Sequence, residues 1–181
     1  MSRIKTITND IANDEQAKLF ANIQSSLGGV PNLLRVFANS PDALKAFQGF
    51  HHIASHGSLD AATRERIALA FAQKNQCGYC LAAHTFVVRQ RGLNTDEINA
   101  NRQGDSQDAK AAVAVKFALK LADQTGGVSD DEVQEMHDAG FTDADIVEVV
   151  MHVSINLLTN ILSKVSQVDI DFPKVDLNQA A

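Results

Sequence analysis

Apolar residues recur every three or four positions along most of the chain, which is the spacing of α-helices that bury one face. Val113, Phe117 and Leu121 show this spacing, and apolar residues at positions 146, 150, 153, 157, 161 and 165 continue it. The last stretch is rich in β-branched residues, which favour strands, but no turn residue interrupts it. We therefore predict one long helix from Asp143 to about Val168.

Between the apolar runs lie residues that typically begin or end helices. Ser129 with Glu132 and Thr142 with Asp145 have the spacing of capping boxes, and Gly92 is placed to end a helix in the left-handed conformation. No repeat or linker divides the chain, so we predict an all-α fold of about eight helices in a single domain over residues 1–181. The predicted helices cover positions 14–26, 31–38, 41–56, 60–76, 78–91, 95–101 (the weakest), 106–124, a segment after 129, and 143–168.

Composition and charge narrow the classes of function. The chain has 181 residues, 45% of them hydrophobic, which is enough for a sizeable core. Asp and Glu number 22 against 16 Lys and Arg, and the resulting net charge of −6 disfavours nucleic acid as a partner. The N-terminus lacks the apolar run of a secretory signal, and residues 146–165 carry polar side chains that disfavour a membrane span. We predict a cytoplasmic protein with no membrane partner.

The two cysteines, Cys77 and Cys80, lie at the start of a predicted helix, and His84 follows one turn after Cys80. At about 100° per residue, these side chains project from one helix face. The unpaired N–H groups of a helix N-terminus stabilise a thiolate, and His84 is placed to accept the Cys80 proton. A second thiol three residues away can then attack a sulfenic acid and form a disulfide. The motif therefore predicts thiol redox chemistry.

A carboxylate on the preceding helix extends this motif. Glu65 lies twelve positions before Cys77, and a tight turn near Asn75 would fold the two helices antiparallel. Glu65 would then reach His84 and orient its ring, as a carboxylate orients a catalytic imidazole. Two other interpretations of the cysteine pair stay open at this point: ligands of a zinc ion, with His84 as a third ligand, or inert core cysteines.

The spacing Glu65-x11-Cys77-x2-Cys80-x3-His84 resembles the signature of the alkylhydroperoxidase D-like (AhpD-like) proteins of the carboxymuconolactone decarboxylase superfamily. The core of the motif spans residues 59–92, and the resemblance covers most of the chain. Further segments resemble the peroxidase-related subgroup of these proteins at positions 30–41, 159–160 and 171–173.

The resemblance implies an AhpD-like helical fold that assembles into a homo-oligomer, a trimer or a hexamer. It implies a thiol-dependent peroxidase, an antioxidant enzyme that reduces an organic hydroperoxide or hydrogen peroxide and is reset by a dithiol reductant or a reductase protein. Cys80 would be the peroxidatic cysteine, Cys77 the resolving cysteine, and Glu65 and His84 the proton relay, with no cofactor and no metal ion. The best-known peroxidases of the family carry a histidine where this chain has Tyr79, and a phenol is a poor base at neutral pH.

Two other functions stay open. One is a lyase of the decarboxylase branch acting on a small lactone acid, which needs acid–base groups but no thiols. The other is a non-enzymatic thiol sensor or metal-binding module.

Several residues near the motif have roles that position alone leaves open. His51, His52 and His56 crowd one helix end. His52 and His56 have the four-residue spacing of metal ligands on a helix, but we favour the interpretation that the three are cations that complement the helix dipole. Arg64 and Arg66 lie on either side of the predicted relay carboxylate, and either pair with surface carboxylates or draw an acidic substrate to the site. His152 and Asn156 share a helix face, and we predict a hydrogen-bonded core pair or a contact between subunits.

Overall fold

The computed structural model describes residues 2–178 of the chain, and these residues form α-helices and no β-strand. The prediction of an all-α fold is confirmed, with nine helices in the described part, the weak segment included, against about eight expected. The helices are α1 (Asp14–Leu27), α2 (Asn32–Phe37), α3 (Pro41–Ala54), α4 (Ala61–Lys74), α5 (Gly78–Gln90), α6 (Thr95–Arg102), α7 (Ala109–Asp123), α8 (Asp130–Asp138) and α9 (Asp143–Ser166).

Local signals set the helix ends. Both predicted capping boxes form, at Ser129 before α8 and at Thr142 before α9. The α7 helix begins at Ala109, three residues later than predicted, because the Asp108 side chain accepts hydrogen bonds from the first free N–H groups. The α9 helix ends two residues before the predicted Val168, because Gln167 takes the left-handed conformation with φ 47°.

The α4 helix lies at the centre of the fold and packs against α5, α6, α7 and α9. Its apolar side chains from Ile67 to Ala72 are all buried, so nearly the whole circumference of the helix is covered. Lys74 at its C-terminal end is exposed, and the side chains of its first two turns are partly exposed except that of Thr63. The packing of α4 in the core therefore fixes the positions of the side chains that it carries near residue 65.

The turn between α4 and α5 places the cysteine motif. Gln76 adopts the left-handed conformation with φ 53°, and the Cys77 N–H donates to the Ala72 carbonyl over 2.8 Å. The α9 helix holds this turn from the side, because Asn75 Nδ2 donates to Asn160 Oδ1 over 2.9 Å and Lys164 Nζ donates to the Asn75 carbonyl over 2.7 Å. The turn folds α5 back against α4, as the sequence predicted.

The α9 helix has two different faces. One face packs in the core against α2, α3, α4, α5 and α7. The other face exposes an apolar stripe at helical spacing, made of Val147, Val150, Leu158, Ile161 and Val165, with 42–60% of each residue accessible. By length and composition α9 is the single described helix that could cross a membrane, but a core helix of a soluble protein has the same character.

Candidate active site

Cys77 and Cys80 form a disulfide at the N-terminus of α5. Cys77 is the N-cap residue, and its sulfur accepts a hydrogen bond from the Cys80 backbone N–H over 3.3 Å. Both residues are buried, with 1% and 3% of their surface accessible. The two sulfurs differ in their surroundings, because Cys80 lines a cavity of about 190 Å³ whereas Cys77 does not.

The two residues that the sequence predicts to form a proton relay, Glu65 and His84, are in direct contact. His84 Nδ1 lies 2.8 Å from Glu65 Oε2, and both side chains line the same cavity as Cys80. Burial opposes the ionisation of Glu65, but the charge and hydrogen bond of His84 outweigh it and hold the pKa of this carboxyl below its ordinary value. An ionised Glu65 requires the proton on Nδ1, which leaves Nε2 of His84 as the basic nitrogen.

Tyr79, at the position of the family's relay histidine, has a structural role. Its hydroxyl oxygen accepts the Leu33 N–H over 3.2 Å, and burial together with hydrogen bonding to Asp171 raises the pKa of this phenol far above its ordinary value. Phe172 packs edge-on against the Tyr79 ring, with centroids 5.7 Å apart. Tyr79 therefore cannot act as a base near neutral pH, whereas the hydrogen-bonded pair of Glu65 and His84 lines the cavity beside Cys80.

The segment after α9 packs beside the end of α4 and the start of α5. Gln73 Nε2 donates to the Leu177 carbonyl over 2.9 Å, which holds this segment against α4. The side chains of Ile170 and Leu177 come within 3.7 and 3.8 Å of the position that a Cβ atom on Gly78 would occupy. An alanine Cβ at position 78 would therefore make ordinary van der Waals contact with this segment.

The two arginines beside Glu65 have different environments. Arg66 points into the fold, where Nε donates to the buried carboxylate of Glu97 over 2.6 Å. Arg64 lines the cavity, and its Nη1 donates to the Leu59 carbonyl over 2.7 Å. Arg91, at the end of α5, also lines the cavity. Residues two apart on a helix point in nearly opposite directions, but the sequence does not tell which of the two directions faces the cavity and which faces Glu97.

Two histidines of the cavity were not predicted as site residues. Partial burial and the nearby charge of His84 lower the pKa of His51, and burial and the charge of Arg64 lower the pKa of His152. His51 is therefore neutral at pH 7, the opposite of the cation predicted for the end of α3. His152 is buried but bonds to the Ala54 carbonyl, and Asn156 bonds to the backbone of His152 rather than to its ring.

His52 and His56, and the cysteine pair with His84, do not form a set of metal ligands within residues 2–178. The rings of His52 and His56 lie 4.4 Å apart, and His56 Nδ1 hydrogen-bonds to the His52 carbonyl. Over that range no three His, Cys, Asp or Glu side chains are close enough together to hold a metal ion.

A second cavity of about 420 Å³ adjoins the first. Leu33, Phe47, His51 and Tyr79 line both cavities. The rest of the second cavity is mainly apolar, and its other lining side chains include Ile23, Leu27, Leu34 and Phe172.

The segment that carries the cysteine motif is similar to a known protein family. Residues 41–124, which contain the whole Glu65–His84 motif, match the carboxymuconolactone decarboxylase family. These residues form a carboxymuconolactone decarboxylase family domain. The resemblance drawn from the sequence motif is thereby confirmed, and this domain supplies α3 to α7 of the fold. No curated protein matches the chain.

Solved structures share the fold of the whole chain around this carboxymuconolactone decarboxylase family domain. The alkylhydroperoxidase AhpD core of a peroxidase-related protein from Ralstonia eutropha JMP134 has a TM-score of 0.82 and 24% identity, over 94% of this chain and 92% of that one. A peroxidase-related protein from Silicibacter sp. TM1040 has a TM-score of 0.78 and 24% identity, over the full length of both chains. The debrominase Bmp8, in complex with 2,3,4-tribromopyrrole, has a TM-score of 0.72 and 15% identity, over 94% and 92%. The AhpD-like fold is thus shared by proteins named for different reactions, so the reaction has to be argued from the site.

Proposed function

We propose that the protein is a thiol-dependent peroxidase in which Cys80 attacks a hydroperoxide and Cys77 resolves the product as a disulfide. The observation that carries the proposal is the shared cavity of Cys80, His84 and Glu65, with Cys77 within bonding distance of Cys80 but outside the cavity. A peroxide entering the cavity meets one sulfur and the proton-transfer pair together. The family domain supports an enzyme of this kind.

In the first step, Nε2 of His84 takes the Cys80 proton, and the ion pair with Glu65 stabilises the resulting imidazolium. The Cys80 thiolate attacks the terminal oxygen of the hydroperoxide, the O–O bond breaks, and the electron pair leaves with the alkoxide. The alkoxide takes the proton from His84 and departs as an alcohol. Cys80 is left as a sulfenic acid.

In the second step, Cys77 attacks the sulfur of the Cys80 sulfenic acid. The S–S bond forms, the S–O bond breaks, and hydroxide leaves with the Cys77 proton as water. Cys77 is prepared for this role because the α5 N-terminus directs a backbone N–H at its sulfur, which stabilises a thiolate. The sum is two thiols and one hydroperoxide converted to a disulfide, an alcohol and water. A dithiol reductant or reductase protein then returns both cysteines to thiols.

The test is to add one equivalent of an organic hydroperoxide to the reduced protein and to locate the oxidised sulfur by thiol titration and mass spectrometry. The wild type should form the Cys77–Cys80 disulfide. Cys77→Ser should stop at a sulfenic acid on Cys80, and Cys80→Ser should leave the hydroperoxide unconsumed. Full hydroperoxide consumption by Cys80→Ser would reject the mechanism.

A lyase acting on a small lactone acid is the second candidate. It is favoured by the acid–base groups of the cavity, since Glu65, His84 and His51 would all be present without the thiols. A protein with both cysteines replaced by serine should turn over the lactone if this candidate holds and should be inactive if the peroxidase holds. A reversible disulfide without turnover of either substrate would instead indicate a thiol sensor.

The same proposal includes a homo-oligomer, a trimer or hexamer, of a single-domain protein in the cytoplasm. The apolar stripe of α9 supports self-association, because five large aliphatic residues exposed in one line favour burial against another surface. A cytoplasmic location fits the chemistry, since reducing conditions there return a disulfide to thiols.

A further inference from the structure

We infer that Arg64 is an anion-binding residue of the cavity and that the protein prefers an amphipathic hydroperoxide with a carboxylate near its peroxide group. The inference rests on the proposed peroxidase function and names the substrate class of the same site. It comes from three features of the molecule: an arginine without an acidic partner, the charge balance of the cavity, and the apolar cavity next to it.

The first feature is the contrast between Arg64 and Arg66. Arg66 is neutralised by Glu97, whose carboxylate lies 2.6 Å from its Nε. Arg64 makes one hydrogen bond, from Nη1 to a carbonyl, and within residues 2–178 no carboxylate oxygen lies within 4.0 Å of its guanidinium. A guanidinium that keeps most of its five donors available and faces a cavity can hold a carboxylate through two parallel hydrogen bonds.

The second feature is the charge balance around the Cys80 cavity. Its one carboxylate, Glu65, already has His84 as a hydrogen-bonded partner, and the charge of Arg91 further favours its ionised form. His51 and His152 face the same cavity, and the lowered pKa of each keeps it neutral at pH 7. Arg64 is therefore left as a positive charge without a matching negative charge, in a chain whose net charge is −6. An anionic ligand supplies the missing charge.

The third feature is the apolar cavity that adjoins the Cys80 cavity, with Leu33 and Phe47 lining both. A ligand with its carboxylate on Arg64 and its peroxide at Cys80 occupies the smaller cavity, and its hydrocarbon part can extend into the larger one. Each CH₂ group buried there tightens binding by about four-fold. The carboxylate takes no part in the redox step, so the balance of atoms and electrons is the same as in the proposed mechanism.

The inference is tested by binding, without turnover. Octanoate and octanamide have the same chain and differ in charge, and their dissociation constants with the oxidised protein are measured by calorimetry. Wild-type protein should bind octanoate at least about ten-fold more tightly than octanamide, since hydrogen bonds to charged groups are stronger than those to neutral ones. Arg64→Gln should remove this difference, and Arg64→Lys, which keeps the charge, should retain part of it.

Arg89→Gln is the matched control, because Arg89 is exposed on α5 and does not line the cavity. This variant should keep the octanoate preference of the wild type. Equal binding of octanoate and octanamide by the wild type, or an undiminished preference in a folded Arg64→Gln protein, would overturn the inference.

A kinetic arm separates this inference from the proposed function. The reduced protein is mixed with a hydroperoxy carboxylate or with its methyl ester, and the second-order rate constants of Cys80 oxidation are compared. A ratio of at least about ten that Arg64→Gln brings to near one supports the inference. Turnover of both at equal rates overturns the substrate preference and leaves the peroxidase intact. Turnover of neither rejects the peroxidase, and the octanoate measurement then still decides the role of Arg64.

Discussion

Replacing Glu65 by Gln tests the proposed proton relay at the hydrogen bond between Glu65 and His84. The amide keeps the size of the side chain and a hydrogen-bond acceptor for His84 Nδ1, but it removes the negative charge 2.8 Å from the ring. Only 17% of the Glu65 side chain and 29% of the His84 side chain are accessible, so solvent screens the pair weakly. A hydrogen bond between charged groups contributes about 1.5–3 kcal/mol. If this stabilisation is lost when His84 takes the Cys80 proton, the oxidation of Cys80 slows by about 10- to 150-fold.

The assay is rapid mixing of pre-reduced protein with a hydroperoxide at pH 7, followed by trapping of free thiols and mass spectrometry. The second-order rate constant is read from the loss of the Cys80 thiol, so later steps and the reductant do not enter. Glu135→Gln is the control, because Glu135 is exposed on α8 and absent from the cavity. A Glu65→Gln protein that reacts within two-fold of the wild type would show that the carboxylate does not serve the relay.

Three further predictions concern stability and assembly. Burial opposes the charge of Glu97, but hydrogen bonds led by that of Ser106 lower its pKa to about 2, so its stabilising effect is full above about pH 4.5 and is lost as the pH falls towards 2. Glu97→Gln should therefore lower the free energy of unfolding at pH 7 by about 3–5 kcal/mol, as measured by urea titration. Between about pH 4.5 and 2 the free energy of unfolding should also decrease less in this variant than in the wild type. Tyr79→Phe should cost about 1 kcal/mol of stability in the same titration but change the Cys80 oxidation rate by less than two-fold; a larger rate change would give the phenol a direct role. If the chain self-associates through the exposed stripe of α9, as proposed, light scattering should give the wild type a mass of several chains and Ile161→Glu the mass of one chain; a multimeric mass that Ile161→Glu leaves unchanged would place the subunit contact elsewhere.

The sequence predicted those features whose signals are local. The capping boxes at Ser129 and Thr142 involve residues three positions apart, and the helical spacing within α9 outweighed its β-branched composition. The contact between Glu65 and His84 was predictable because one tight turn joins the helices that carry them. These signals depend on neighbours within a few residues or on a single reversal of the chain.

The roles of Tyr79 and Arg64 could not be predicted, because distant partners decide them. Tyr79 bonds to Leu33, 46 positions away, and is further held by the segment after α9. Arg64 and Arg66 look alike in sequence, and only the placement of Glu97 on α6 determines which arginine is neutralised. A pattern of residue types carries no information on which distant carboxylate a given arginine meets.

Because α4 is central, its packing affects both the stability of the fold and the positions of the cavity side chains it carries. Its three consecutive residues Arg64, Glu65 and Arg66 line the cavity, contact His84 and pair with the buried Glu97, respectively. The next turns of the helix form the packed interior. A substitution that shifts α4 by a fraction of an ångström to improve packing would also displace Arg64 and Glu65 against α5. Selection for heat resistance in this protein is therefore expected to favour changes on the outer helices α1 and α8 and to leave α4 untouched.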